Sequence, residues 1–74
     1  MSLEEYTKEQ LWLMLVETVH AAVMYPVHKA YTREEILRLK PDVTSAELAA
    51  RLNLSLGEAL VILYELMEER KSKA

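Results

Sequence analysis

Four residue pairs typical of helix starts recur along this chain of 74 residues, and they constrain the fold more than any other feature. In each pair a serine or threonine is followed three residues later by glutamate or glutamine, so that each side chain can accept a hydrogen bond from a free backbone N–H. Ser2 with Glu5 also fits, which leaves the first start open. Each pair precedes a stretch of helical apolar periodicity, so the chain is predicted to be all-α with four short helices. The pairs are Thr7 with Gln10, Thr32 with Glu35, Thr44 with Glu47, and Ser55 with Glu58.

Two prolines and one asparagine indicate where these helices end. A residue that precedes proline disfavours the α conformation, so Tyr25 and Lys40, each followed by proline, are predicted helix ends. Asn53 stands where a left-handed residue would close a helix, a conformation that asparagine tolerates well. The chain is short enough to be a single domain over residues 1–74. Helices are predicted at residues 8–25, 33–40, 45–52 and 56–70.

The composition favours burial against a second chain. There is no cysteine, so neither a disulfide nor a thiolate metal site can stabilise the fold. A domain this short buries only roughly 60% of its unfolded surface. Its apolar fraction is nevertheless 51%, at the upper edge for globular proteins. We therefore expect part of the apolar surface to be covered by another copy.

The most apolar run, residues 11–25, does not indicate a membrane segment. It is too short to span a bilayer and contains Glu17 and His20. A secretory signal would have a basic leader, whereas glutamates precede this run. We expect a soluble, cytoplasmic protein without a membrane partner.

One half of the first predicted helix is apolar on a wheel of about 100° per residue. Two interpretations are open: a central core helix, or a core helix that also pairs with its copy across a two-fold axis. Three short helices cannot easily cover so wide a face, which favours dimerisation through residues 8–25. The residues expected in this interface are Leu11, Trp12, Leu15, Val19 and Val23.

Residues 44–66 have the spacing of two helices joined by a tight turn. The residues that set this spacing are Glu47, Leu48, Ala49, Leu52, Asn53, Ser55, Ala59, Leu63 and Leu66. In this pattern the segment resembles the helix-turn-helix superfamily, including its winged-helix branch. The resemblance implies that residues 33–70 form a tri-helical unit, packed on a long apolar N-terminal helix. The chain stops where a wing hairpin would begin, so no wing is expected.

The outer face of the second helix in this motif is unsuited to reading DNA. Bases are read by Arg, Lys, Asn, Gln or Ser, whereas the expected outer face presents Gly57, Leu60, Val61, Tyr64 and Glu68. Apolar side chains suit a protein surface instead. We therefore expect Leu60, Val61 and Tyr64 to be covered by protein: the first helix, a dimer mate or a larger partner.

Lys29, Arg33, Arg38 and Lys40 form the one basic cluster of the sequence apart from the C-terminal tail. They are either ordinary solvated charges or contacts to the phosphate backbone of nucleic acid. Phosphate contacts would position the protein without reading sequence, and the formal net charge of −3 gives no general attraction to nucleic acid.

No catalytic or metal chemistry is predicted. Glu17 and His20 have the Glu-x-x-His spacing of di-metal helical bundles, but they lie on the polar side of the first helix without further inward carboxylates. His28 lies in an expected loop without a spaced partner, and no glycine-rich phosphate loop occurs. We expect neither a cofactor nor an enzyme activity.

These observations predict a small helical module for protein association, acting as a homodimer or as an adaptor for a larger protein partner. The alternative is a DNA-binding transcriptional regulator of helix-turn-helix type.

Overall fold

The computed structural model describes residues 6–73, which form four helices and no strand. The predicted all-α class is therefore confirmed. Residues 1–5 and 74, including the alternative start pair Ser2 and Glu5, lie outside the described residues. The helices are α1 (Lys8–His20), α2 (residues 25–39), α3 (Ser45–Leu52) and α4 (Leu56–Lys73).

Three of the four predicted start pairs act at helix starts. Thr7 caps α1: its hydroxyl accepts from the N–H of Gln10, whose side-chain oxygen accepts from the N–H of Thr7. Thr44 and Glu47 make the same reciprocal bonds before α3. Ser55 accepts from the N–H of Glu58 before α4, and the Glu58 carboxylate contacts His28 of α2. The sequence thus locates these three starts correctly.

Helix α1 ends at His20, so the predicted helix over residues 8–25 is wrong for its last part. The chain turns through residues 21–24 before α2 begins at Tyr25. This turn brings two side chains to one acceptor: the His20 imidazole and the Tyr25 hydroxyl both contact the Glu65 carboxylate of α4. The long apolar N-terminal helix of the prediction is therefore a helix of 13 residues.

Helix α2 begins before Pro26, where the sequence predicts a helix end. Proline lacks an N–H, but N–H groups in the first helical turn need no intrahelical partner, so proline is tolerated there. The predicted loop around His28 is accordingly helical. The helix is α-helical over Tyr25–Tyr31, π-helical over Thr32–Ile36 and α-helical again over Leu37–Leu39.

Thr32 lies inside α2, so the start predicted from Thr32 and Glu35 is wrong. Its side chain is fully buried, and the hydroxyl donates to the carbonyl of His28 at 2.8 Å. Such a bond to the preceding turn satisfies a threonine inside a helix. The wider π turn follows directly, with the Leu37 N–H donating to the Thr32 carbonyl.

Asn53 joins α3 to α4 in the left-handed conformation, with φ 57° and ψ 48°, as predicted. Its N–H donates to the carbonyl of Ala49, and the N–H of Leu54 donates to the same carbonyl at 2.9 Å. Helix α1 packs near the start of α4 at Gly57, where an added Cβ would lie 3.0 Å from Leu15 Cδ1. The glycine therefore lets α1 approach closely.

The core lies between α4 and the other three helices. Leu48 of α3 and Ala59, Val61 and Ile62 of α4 are fully buried. Around them pack Val19, Tyr25, Ile36, Val43 and Leu66, with Trp12, Leu15, Val16, Leu37, Ala49, Leu52, Leu54 and Leu63 partly buried.

Candidate interaction surface

The interface predicted on α1 is divided between the chain's own core and its surface. Val19 is buried, and Trp12 and Leu15 are half-buried against the core. Leu11 is exposed, and Val23 is 91% exposed in the turn after α1. A large part of the apolar face assigned to dimerisation is therefore occupied by intrachain packing.

The prediction that Val61 lies on the outer face of α4 is wrong. Its side chain is 0% exposed and belongs to the core, because the buried arc of α4 extends further round the helix than the spacing suggested. Leu60 and Tyr64 do lie outside, each 43% exposed. Tyr64 is partly covered by Trp12 of α1, with ring centroids 5.0 Å apart and planes at 71°. This edge-on contact is a favourable aromatic geometry.

A row of large apolar side chains runs along the exposed side of α4. Leu56, Leu60, Leu63 and Met67 follow one another at intervals of four, three and four residues, which places them on one face of a helix. We call these four residues the apolar stripe. Leu63 is half-buried, and the others are between 43% and 58% exposed. Tyr64 lies beside the stripe, so α4 has a second apolar face in addition to its buried one.

Apolar residues at alternating intervals of four and three are also the pattern by which two helices pack along each other in coiled coils. From residue 56 to residue 67, Glu58 and Glu65 are the two charged residues of α4. The described residues cover the core side of this segment and bond to its two glutamates, and they leave the stripe open.

The third side of α4 carries a row of glutamates that contacts α2. Glu58, Glu65 and Glu69 share one face of the helix, a grouping that is not among the predictions from the sequence. Glu58 contacts His28 Nδ1 at 2.7 Å, and Glu65 contacts His20 Nε2 at 2.8 Å as well as the Tyr25 hydroxyl. The sequence does contain a signal, since the spacing of seven and four residues defines a helical face.

Each member of the predicted basic cluster forms an ion pair within the chain. Lys29 Nζ lies 2.6 Å from Glu69 Oε2, and Arg33 lies 3.0 Å from Glu69 Oε1. These bonds, chiefly the one from Lys29, hold the pKa of Glu69 below its ordinary value. Arg38 contacts Glu35 at 3.4 Å on the α2 surface.

The remaining member, Lys40, lies 3.0 Å from Glu47 Oε2 at the start of α3. The hydrogen bond with Glu47 raises the pKa of Lys40. The pKa of Glu47 is lowered to about 2, first by the hydrogen bond from the Thr44 N–H and then by the one from Lys40. The four cations are thus compensated by neighbouring carboxylates.

An open groove of about 510 Å³ lies beside the apolar stripe, between the end of α2 and α4. The apolar residues of its lining are Leu37, Pro41 and Leu66, and a smaller groove of about 190 Å³ continues it to Leu63 and Met67 of the stripe. We call the larger one the arginine groove, because three arginines line it. The charged residues of its lining are Arg33, Glu34, Arg38, Glu69 and Arg70.

The described residues do not assemble a metal site. Glu17 is exposed and His20 contacts Glu65 instead, and no group of three His, Asp or Glu side chains within residues 6–73 could hold a metal ion. None of the helices in that part of the chain has the length and apolar content needed to cross a membrane.

Comparison of the chain with protein-family models, curated proteins and solved structures finds no match. The resemblance to the helix-turn-helix superfamily therefore stays a prediction.

Proposed function

We propose that this chain is a non-enzymatic association module that forms a homodimer through the open side of α4. The apolar stripe carries the proposal. Three of its four large side chains are roughly half exposed in a single copy, although burial contributes about 25 cal/mol per Å² of apolar area. Contiguous apolar patches on a protein surface are characteristic of protein–protein contacts.

The exposed side of α1 extends the apolar surface. Leu11, Leu13 and Met14 are exposed on α1, and the contact between Trp12 and Tyr64 joins this helix to the outer side of α4. A second copy can therefore cover parts of both helices. In this proposal α3, the Asn53 turn and α4 act as a packing unit of helix-turn-helix type whose outer face binds protein.

The ion pairs of the basic cluster make the DNA-binding alternative the weaker one. Binding to phosphate is driven by release of counterions from DNA as lysine and arginine neutralise it. Here Lys29, Arg33, Arg38 and Lys40 already face carboxylates of the same chain, so each would first have to leave its partner.

The proposed dimer can be tested by placing charge on the stripe. Leu56 and Leu60 are exposed, so the double variant Leu56→Glu, Leu60→Glu should keep the monomer fold, whereas burial of either carboxylate in an interface is costly. We expect a wild-type dimer at micromolar concentration in sedimentation velocity, and a helical monomer for the variant. Leu39→Glu is the matched control, because Leu39 is 70% exposed at the end of α2 and lines neither groove.

Two results would contradict the proposal: a wild-type chain that stays monomeric, or a dimer that tolerates both stripe glutamates. The alternative function has its own measurement. If the chain bound duplex DNA, Arg33→Ala with Arg38→Ala should weaken binding and flatten its dependence on salt. For an association module, these two changes should leave a DNA titration unchanged.

A further inference from the structure

We propose that the arginine groove of one copy receives the exposed face of α1 from a second copy. This inference rests on the proposed homodimer and identifies which surface of the partner covers the part of the stripe at Leu63 and Met67. Both halves of the contact are present in each chain: an acidic and apolar helix face, and a groove whose lining combines three arginines and two glutamates with apolar residues.

The exposed face of α1 combines two acids with two apolar side chains. Glu9, Leu13 and Glu17 recur every four residues and so share one side of the helix, with Met14 beside them. Leu13 and Met14 are exposed, and neither Glu9 nor Glu17 makes an ion pair with a described residue. The two glutamates stand about 12 Å apart along the helix axis, with Leu13 midway between them.

The arginine groove offers the complementary set. Arg70 makes no ion pair with any described residue, and the Arg38 side chain is 72% exposed with one contact to Glu35 at 3.4 Å. The same lining contains the apolar residues Leu37, Pro41 and Leu66, together with Glu34 and the ion-paired Glu69. Because the groove continues to Leu63 and Met67, a helix lying in it also covers part of the apolar stripe.

The composition of the groove favours this occupant over nucleic acid. A nucleic acid backbone would match the arginines but would leave the leucines and proline of the lining against a charged surface. An amphipathic helix with acids at its margins fits both, in the way that helices dock apolar faces into grooves. Since each copy carries one such helix and one such groove, two identical contacts related by a two-fold axis close a dimer.

Charge reversal on either side of the contact tests the pairing. The groove variant is Arg38→Glu with Arg70→Glu, and the helix variant is Glu9→Lys with Glu17→Lys. Each should raise the dimer dissociation constant at least about tenfold, because like charges then meet across a partly buried contact. The control Arg51→Glu changes an exposed arginine of α3 that lies outside the groove, and should leave the dissociation constant within about twofold of wild type.

Mixing the two variants gives the decisive readout. In a mixed dimer one contact pairs the unchanged helix with the unchanged groove, and the other pairs the new lysines with the new glutamates. Attraction is restored at both contacts, so the mixture should dimerise about as tightly as wild type while each variant alone stays weak. Sedimentation velocity on the separate and mixed proteins measures this, with circular dichroism to verify that each variant is helical.

The outcomes separate this inference from the function on which it rests. A monomeric wild-type chain overturns both. A dimer that tolerates the groove and helix variants but is dissociated by Leu56→Glu with Leu60→Glu overturns the groove assignment and leaves the homodimer standing. Loss of dimer in both variants without recovery on mixing, or an equal loss in Arg51→Glu, also overturns the assignment.

Discussion

At the turn between α3 and α4, Asn53 adopts a left-handed backbone conformation that most residues avoid. Among residues 6–73 no other non-glycine residue has a positive φ. Asparagine tolerates this region because its short polar side chain bonds locally, whereas a β-branched side chain is strained there. The direction in which α4 leaves α3 depends on this one residue.

Substitution of Asn53 should therefore follow backbone preference and not side-chain size. We expect Asn53→Gly to be neutral or slightly stabilising, because glycine enters the left-handed region without strain. Asn53→Val should lower the free energy of unfolding by about 1–2 kcal/mol. Urea denaturation of the three proteins measures the difference, and equal stability of all three would contradict the role assigned to the turn.

At the scale of the elements, the start of α3 combines a capping pair with an ion pair to the preceding loop. Glu47 accepts from the Thr44 N–H at 2.9 Å and contacts Lys40 at 3.0 Å. Both interactions are stronger with the ionised carboxylate than with the protonated one, which explains why the pKa of Glu47 falls to about 2. The helix start is therefore sensitive to acid.

This shift predicts how stability changes with pH. Because the folded-state pKa of Glu47 lies below its ordinary value of 4.5, its contribution is fully present above about pH 4.5 and is lost as the pH falls towards 2. Glu47→Gln can still accept from the Thr44 N–H but does not titrate, so its melting temperature should fall less steeply between pH 5 and pH 2. Parallel slopes for the two proteins in thermal melts would show that Glu47 does not contribute in this range.

At the scale of the whole molecule, α4 meets three surroundings at once: the core, the glutamate contacts with α2, and the open stripe. Neighbouring residues on this helix therefore have different roles. Val61 is buried in the core, and Leu60, one residue before it, is 43% exposed on the stripe. The same substitution at the two positions should separate folding from association.

Val61→Glu places an uncompensated charge in the core, which costs about 3–5 kcal/mol, and a domain of this size has little more stability than that to lose. We expect Val61→Glu to lose its helical circular dichroism at every protein concentration. Leu60→Glu should remain helical and lose only its ability to dimerise. A folded Val61→Glu protein would mean that the core is arranged differently, and an unfolded Leu60→Glu protein would mean that Leu60 stabilises the monomer.

The predictions from sequence succeeded where the deciding interactions are local. The hydroxyls of Thr7, Thr44 and Ser55 bond to N–H groups three residues away, so a short stretch contains all the information needed. They failed at Thr32 and Pro26. A threonine followed by glutamate can stand inside a helix as well as at its start, and a proline can stand in the first turn of a helix as well as after its end. Tertiary contacts decided there, since Tyr25 and His28 beside Pro26 both bond to glutamates of α4.

For the candidate interaction surface, some residues were predicted correctly from the sequence and others were not. The sequence identified Leu60 and Tyr64 as outward residues, because their positions along the helix place them on a different face from the inward residues Ala59 and Leu66. It misplaced Val61, since a helix contacted on two sides buries a wider arc than a simple stripe. It also missed the groove, whose arginines come from residues 33–38 and from residue 70 and meet only in the folded chain.

By itself the sequence determined the all-α class, three helix starts and the left-handed turn, because hydrogen bonds between residues a few positions apart specify them. The tertiary structure decided where α1 ends, that α2 begins at Tyr25, which lysines and arginines are neutralised, and which side of α4 remains open. Those outcomes depend on residues up to 45 positions apart, such as His20 and Glu65. No local pattern contains such pairs, since packing selects them only once the helices have come together.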